Sequence, residues 1–238
     1  MNLSAKKLGY QVLNEKIRST NEDVVVVDCF GERFIGSGAS EKTITIEGTP
    51  GNALGAYLDG TTIIVNGNAQ DAVGDTMNDG KIIINGNAGD ALGYAMRGGK
   101  ILVKGNAGYR TGIHMKQYKD KRPVIVVGGN TGSFLGEYLA GGIIVVLGLD
   151  NMDLPVGDFT GTGMHGGEIF IRTEKAPENL PKQVSVNEAS EDEMRGIIDI
   201  LNEFSDVFGI AMDEILGKTF YRLTPNAKNP YKQLYVEN

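Results

Sequence analysis

Short, β-branched apolar runs recur along this chain, each followed by a longer stretch of glycine and polar residues. The runs are Val24–Val27, Ile44–Ile46, Ile63–Val65, Ile82–Ile84, Ile101–Val103, Val124–Val127 and Ile143–Leu147. Runs of this length and composition predict strands, because they are too short for helices. The stretches between them carry turn chemistry and share one glycine spacing. Gly86-Asn-Ala-Gly89-Asp-Ala-Leu-Gly93 and Gly105-Asn-Ala-Gly108-Tyr-Arg-Thr-Gly112 both read Gly-x-x-Gly-x-x-x-Gly, and so do the segments starting at Gly48 and Gly129. The segment from Gly67 to Gly74 has Gln70 in the middle slot. The first glycines fall at 48, 67, 86 and 105, a step of 19, then at 129 and 148.

A fixed period near twenty is the mark of a solenoid, in which each unit buries its apolar face only by stacking on its neighbours. Nineteen residues cannot hold a strand, a crossover helix and two loops, since that unit needs about 30. They do fit one coil of a parallel β-helix. The first copy is degenerate, with Cys29 and Glu32 in the glycine slots before Gly36. The copy at Gly148 reads as degenerate too, with Asn151 and Pro155 in the later slots. The expected fold is therefore all-β, a parallel β-helix of about seven coils, which at ~4.8 Å per coil would be on the order of 34 Å long. Stacking would bring Asn68, Asn87, Asn106 and Asn130 into one ladder. The repeat glycines are expected at corners that need positive φ or close backbone approach, and Gly89 and Gly108 are read as positive-φ positions.

The ends differ from the middle. Ser4 to Arg18 has the apolar spacing of an amphipathic helix that would close the first coil. Residues 176–186 read as a linker. Ser190 and Glu193 form a capping box for a helix carrying Met194, Ile197, Ile198, Leu201, Phe204 and Phe208, with a second short helix around Asp213–Leu216. The division is an N-terminal capping helix over 1–22, the repeats over 23–173, and a linker, helix and extended tail over 174–238. The tail from Phe220 on carries Tyr221, Tyr231 and Tyr235; it packs either on its own repeats or on a partner.

Composition narrows the function. A net charge of −7 argues against a nucleic-acid ligand, and a single cysteine fits a reducing compartment. No apolar run is long enough to span a bilayer, so the cytoplasm is the expected location. Candidate chemistry is thin. Gly161-Thr-Gly163-Met-His-Gly166 matches a dinucleotide fingerprint, but a strand follows it where one should precede. Gly217-Lys218-Thr219 ends like a phosphate loop, with Met212 where the earlier glycine belongs. Cys29, His114 and His165 lack metal-ligand spacing. Asp59, Asp71, Asp79 and Asp90 recur at corners and are expected to make local turn hydrogen bonds. No catalytic, cofactor-binding or metal-ligating residue is assigned. The longer step comes from the insertion Lys116–Arg122, a cationic loop that is either a solvated bulge or a surface for an acidic partner.

The Gly-x-x-Gly-x-x-x-Gly array resembles the C-terminal β-helix domain of the glutamate synthase large chain, over about residues 10–172. Ile17-Arg-Ser-Thr-Asn21 is similar to the segment entering that domain. Gly136-Glu-Tyr-Leu-Ala-Gly-Gly-Ile-Ile-Val-Val-Leu-Gly148 is similar to the family's Glu-Tyr-Met-x-Gly-Gly-x-Val-Val-Val-Leu-Gly stretch. The C-terminal third looks like the extra segment of free-standing archaeal-type versions. A similar repeat occurs in the C chain of formylmethanofuran dehydrogenase. The resemblance implies a right-handed β-helix without chemistry of its own, a scaffold subunit of a glutamate synthase-like complex. It would hold a glutaminase chain and an FMN- and iron–sulfur-containing synthase chain, with those cofactors on the partners. The rival readings are a C-type subunit of a formyl dehydrogenase and a stand-alone binding or enzymatic β-helix.

Overall fold

A computed structural model describes residues 1–150 and 153–226. The chain is mostly sheet, in one array of eleven strands with the order β1-β2-β3-β4-β5-β6-β7-β8-β9-β11-β10. The strands are β1 (Asn2–Ser4), β2 (Val24–Phe30), β3 (Thr43–Thr49), β4 (Asp59–Asn66), β5 (Asp79–Ile84), β6 (Lys100–Val103), β7 (Val124–Val127), β8 (Ala140–Val146), β9 (Gly166–Arg172), β10 (Val184–Glu188) and β11 (Phe220–Pro225). Every predicted strand is present. The sheet is mixed, however: β1 to β9 pair in parallel, while β11 pairs antiparallel with both β9 and β10.

Register follows the repeat. Ile44 faces Ile63, Ile63 faces Ile82, and Ile82 faces Ile101, so identical positions of successive repeats lie side by side. The 24-residue step is absorbed outside the sheet, because Ile101 faces Ile125 with no break in the ladder. A second set of parallel bridges links Ala69, Ala88, Ala107 and Thr131. Consecutive repeats also exchange backbone hydrogen bonds through their turns, as in Gly74 N–H to Leu54 O and Gly93 N–H to Val73 O, both 2.8 Å. Inward positions are therefore columns of like residues. One column is Ile44, Ile63, Ile82, Ile101, Ile125, Ile144 and Ile169; another is Leu58, Met77, Met96, Met115, Leu139 and Met164. All are buried, and each large apolar side chain so placed contributes about 1.5–3 kcal/mol.

The glycine slots divide by cause. The last glycine of each repeat takes positive φ: Gly36, Gly55, Gly74, Gly93, Gly112, Gly136 and Gly161 all lie between 63° and 75°. Gly89 and Gly108, expected to share that conformation, do not. They are glycines because the preceding repeat lies against them; a Cβ on Gly89 would sit 3.0 Å from the Asp71 amide nitrogen and would strike its carboxylate. The last repeat also departs from its reading. Gly148 bonds to Gly129 as expected, but Pro155 takes the slot after the first glycine, its carbonyl accepting the Thr131 amide as Asn130 O accepts that of Ala107, and Asn151 lies outside the described residues. Gly157 lies against Gly132 and Ser133, and the Gly161 amide bonds to Leu135 O. The repeat is intact, opened by an insertion between Gly148 and Gly157.

The Asn ladder forms, though not through amide–amide bonds. The side-chain oxygens of Asn68, Asn87 and Asn106 each accept the backbone N–H of the next asparagine at 2.7–2.8 Å. Asp71 and Asp90 behave alike, accepting from the Asp90 and Tyr109 amides at 2.9 and 2.8 Å. Their bonds thus join neighbouring repeats, where local turn bonds were expected. Asp79 does bond locally, to the Gly80 amide at 2.8 Å.

Helix α1 (Ala5–Ser19) covers the first repeats through Leu13 and Ile17, and is broken at Gly9, whose φ is 68°. At the other end the expected single helix is two, α2 (Glu191–Arg195) and α3 (Ile198–Phe208), followed by α4 (Met212–Ile215). The capping box forms: the Glu193 amide donates to the Ser190 hydroxyl and the Ser190 amide to the Glu193 carboxylate. Strand β10 begins in the last residues of the segment read as a linker and runs past it, and β11 forms the start of the segment read as an extended tail. These helices cover the outer face of the sheet. Leu102, Val126, Ile143, Val145 and Phe170 pack there against Leu201, Phe204 and Phe208. Strands β7 and β8 accordingly lack the alternation seen in β2. Residues 227–238, including Tyr231 and Tyr235, lie outside the described residues.

Ion pairs fasten this covering. Glu203 on α3 pairs with Lys81 and Lys100 on adjacent strands. Burial pushes its carboxyl up, but the two ammonium partners outweigh that and hold it below the usual carboxylate range. A carboxyl lowered by folding contributes stability above its unfolded pKa, and this contribution is lost as pH falls through the folded value. Glu203→Gln should therefore melt below the wild type at pH 7, with the gap in Tm closing as pH falls through and below the ordinary carboxylate range. A gap that stays constant with pH would rule out this coupling. Among the described residues, no helix is long and apolar enough to cross a membrane.

Candidate functional site

The residues singled out from the sequence are spread over the molecule. Cys29 lies buried on β2, beside Gly48 in the ladder. Burial, with help from neighbouring Glu32, pushes its thiol up to about 12. A thiol held protonated is a poor nucleophile and a poor metal ligand. His114 sits exposed at a turn with φ 55°, its ring stacked on Tyr138 at 5.0 Å and edge-on to Tyr94 at 5.9 Å. His165 precedes β9, with Nδ1 3.1 Å from the Gly163 carbonyl oxygen. Among the described residues, no three of His, Cys, Asp and Glu are grouped as a metal site would need.

The fingerprint-like segment Gly161–Gly166 is the turn of the last repeat. Gly161 has φ 75° and Gly163 has φ 70°, and β9 begins at Gly166. The strand thus follows the glycines, and no helix starts among them, as pyrophosphate binding requires. Gly217-Lys218-Thr219 links α4 to β11.

The inserted cationic loop folds back onto the molecule. Tyr118 and Lys121 pair across its tip. Lys121 reaches Asp79 at 2.9 Å and Asp59 at 3.5 Å, carboxylates from two successive strands. This contact holds the Asp79 carboxyl below the usual range. Gly98 has no side chain where the Lys121 stem passes; an added Cβ would lie 2.9 Å from Lys121 Cβ. Arg122 pairs with Glu168, which also binds Arg222 of β11. Two of the four loop cations are thus engaged by the chain's own acids.

What remains distinctive is the turn face. Around the positive-φ glycines of the fifth to seventh repeats lie Tyr109, Arg110, His114 and Phe159, which are exposed, and Phe134 and Tyr138, which are half-buried. Several hold left-handed backbone, which is uncommon for bulky residues: Arg110 at 57°, Phe134 at 64°, Tyr138 at 53° and Phe159 at 60°. Sequence reasoning passed over these aromatics, because they fall in turn segments and look like scattered surface residues. For Phe134 and Phe159 the signal was periodic, since with Arg110 they occupy the slot that Ala53, Ala72 and Ala91 fill in the second to fourth repeats.

The geometry defines a stacked-repeat protein with one glycine-pinned turn per repeat and an elaborated turn face. The chain belongs to the GXGXG motif family, whose profile matches residues 10–227. It is 43% identical over 249 residues to an uncharacterized protein of Methanocaldococcus jannaschii, covering 98% of this chain and 95% of that one. Its fold is similar to a chain in the crystal structure of the formyltransferase/hydrolase complex from Methylorubrum extorquens with methylofuran. That match has a TM-score of 0.63 at 22% identity, over 84% of this chain and 72% of the other.

Proposed function

We propose that this chain is a non-catalytic scaffold subunit of a glutamate synthase-like complex. In this reading the stacked repeats wind as a right-handed parallel β-helix over residues 23–173, with 1–22 and 174–238 as accessory ends. The partners are a glutaminase-type amidotransferase chain and an FMN- and iron–sulfur-dependent synthase chain, in the cytoplasm. The observation that carries the reading is the family's glycine array running through the chain. The resemblance of Gly136–Gly148 to the glutamate synthase stretch adds to it. The groups that could do chemistry are committed to structure: Cys29 is buried and protonated, Glu203 and Glu168 are ion-paired, and His114 is stacked on Tyr138 and edge-on to Tyr94. An iron–sulfur cluster wants three or four thiolates, so one buried cysteine does not fit it, and the cofactors belong to the partners.

The likeness to a chain of a formyltransferase/hydrolase complex favours a second reading, a β-helix subunit of a formyl-handling oxidoreductase. Co-expression separates the two. With glutaminase-type and flavin-type chains, the expected result is one complex that makes glutamate from glutamine and 2-oxoglutarate, while the isolated chain is colourless and releases no ammonia. Co-purification with pterin-type formyl dehydrogenase chains, and not with the former pair, would transfer the assignment. Flavin bound near stoichiometry by the isolated chain would end both readings.

A further inference from the structure

The turn face changes character along the stack. Two positions before the turn glycine, the second to fourth repeats carry Ala53, Ala72 and Ala91, and the next three carry Arg110, Phe134 and Phe159. Phe134 and Phe159 stack at 5.0 Å with 20° between their planes. Arg110 lies over Phe134, its guanidinium carbon 5.0 Å from the ring centroid, while its Nε is 3.2 Å from the Glu137 carboxylate. The face therefore already holds one guanidinium between an aromatic ring and a carboxylate. Phe159 comes next in the row, has no arginine of its own chain over it, and is 58% exposed. It lines a groove of about 490 Å³, with Pro177 and Leu180 as apolar wall and Asp153, Asp158 and Glu178 against Lys175, the single cation lining it among the described residues.

We propose that this groove is a docking site for an arginine side chain presented by a partner protein, its guanidinium stacking on Phe159 and pairing with the groove carboxylates. The inference rests on the reading that the chain exists to hold partner subunits. Three carboxylates against one ammonium, on a chain of net charge −7, select a cation. An aromatic floor selects the planar guanidinium over a point charge. Left-handed backbone at Phe159 belongs to the turn, since Ala53, Ala72, Ala91, Arg110 and Phe134 share it, and at the last turn it presents an exposed ring.

Titration of the full chain with acetyl-Leu-Arg-Leu-amide and its lysine counterpart, followed by NMR of the backbone amides, tests this directly. The arginine probe should give saturable shifts around Phe159 and Glu178, with the lysine probe about threefold weaker or more. Phe159→Asn keeps a residue that tolerates left-handed backbone, so the fold stays and the binding goes. Glu178→Gln should weaken binding and reduce its salt dependence. Equal affinity for the two probes, or wild-type binding by Phe159→Asn, overturns the proposal. In co-expression with the glutaminase- and flavin-type chains, Phe159→Asn should lose co-purification, while Phe30→Ser on β2 keeps it; assembly retained by Phe159→Asn overturns the docking role. If the wild type fails to assemble with those chains, the scaffold reading falls, and the peptide titration still decides the groove.

Discussion

Replacing Gly55 with valine should destabilise the chain more than any surface substitution, by about 3–5 kcal/mol, because two costs fall on one site. Gly55 has φ 63°, which a β-branched residue adopts only under strain. Its added Cβ would also lie 2.7 Å from Ile82 Cδ1 and 3.3 Å from Ile63 Cδ1, the two core side chains on that side. Neither isoleucine can withdraw, since each is wholly buried within its column. Gly209 provides the control: its φ is 65°, yet nothing stands within 4 Å of an added Cβ. Gly209→Ala should then show the backbone cost alone, about 1 kcal/mol. Thermal melts compare them, and for a chain of this size the Gly55 variant should fall by on the order of 10 °C. Equal losses at the two sites would mean that the isoleucine column yields freely.

Arg172→Met should release the C-terminal helices. Arg172 is buried at the end of β9 and donates to three backbone carbonyls: Ile215 at 2.8 Å, Glu214 at 2.7 Å and Leu147 at 3.0 Å. It joins the last turn of α4 to the end of β8. Burial pushes its pKa down, but the guanidinium stays charged at any ordinary pH. Methionine fills similar space and leaves three carbonyls without their donor, a loss of about 3–5 kcal/mol. Hydrogen exchange should rise in residues 191–216 well before it rises in β3 to β6. Uniform exchange along the whole chain would show that α4 is not separately fastened.

The repeat was legible because it is a period, and a period survives local substitutions: Cys29 stands beside Gly48 as the spacing required. The last repeat was misread because its insertion lies inside the glycine array, so counting onward from Gly148 landed on Asn151 and Pro155. Gly89 and Gly108 were assigned the wrong cause, since a sequence shows that glycine is needed without showing whether torsion or a neighbour demands it. The β10–β11 pairing was missed because Val184–Glu188 is short and follows Pro181, and its partner lies more than thirty residues away. The doubly apolar runs Val124–Val127 and Ile143–Leu147 announced a covered outer face, in contrast to Thr43-Ile-Thr-Ile-Glu47. Charges on Lys116–Arg122 could be counted but not traced to Asp59, Asp79 and Glu168. The candidate groove joins residues of the last turn to residues beyond β9, a pairing that local spacing does not encode.

The antiparallel pair at the far end bears on how large an object this sequence can make. A parallel ladder in which every rung copies the last is open-ended: its final edge offers the same pattern of donors and acceptors that recruited the rung before it, and a second molecule could continue it into a fibre. Strand β11 reverses direction against β9 and β10 reverses again, so the last strand of the sheet regains the direction of the repeats but is a five-residue segment outside the glycine array, and a like rung does not match its pattern. The opposite end is closed by a three-residue strand under α1. The repeats thus meet, at both edges of the sheet, short strands that do not copy them, which disfavours end-to-end addition of a second molecule.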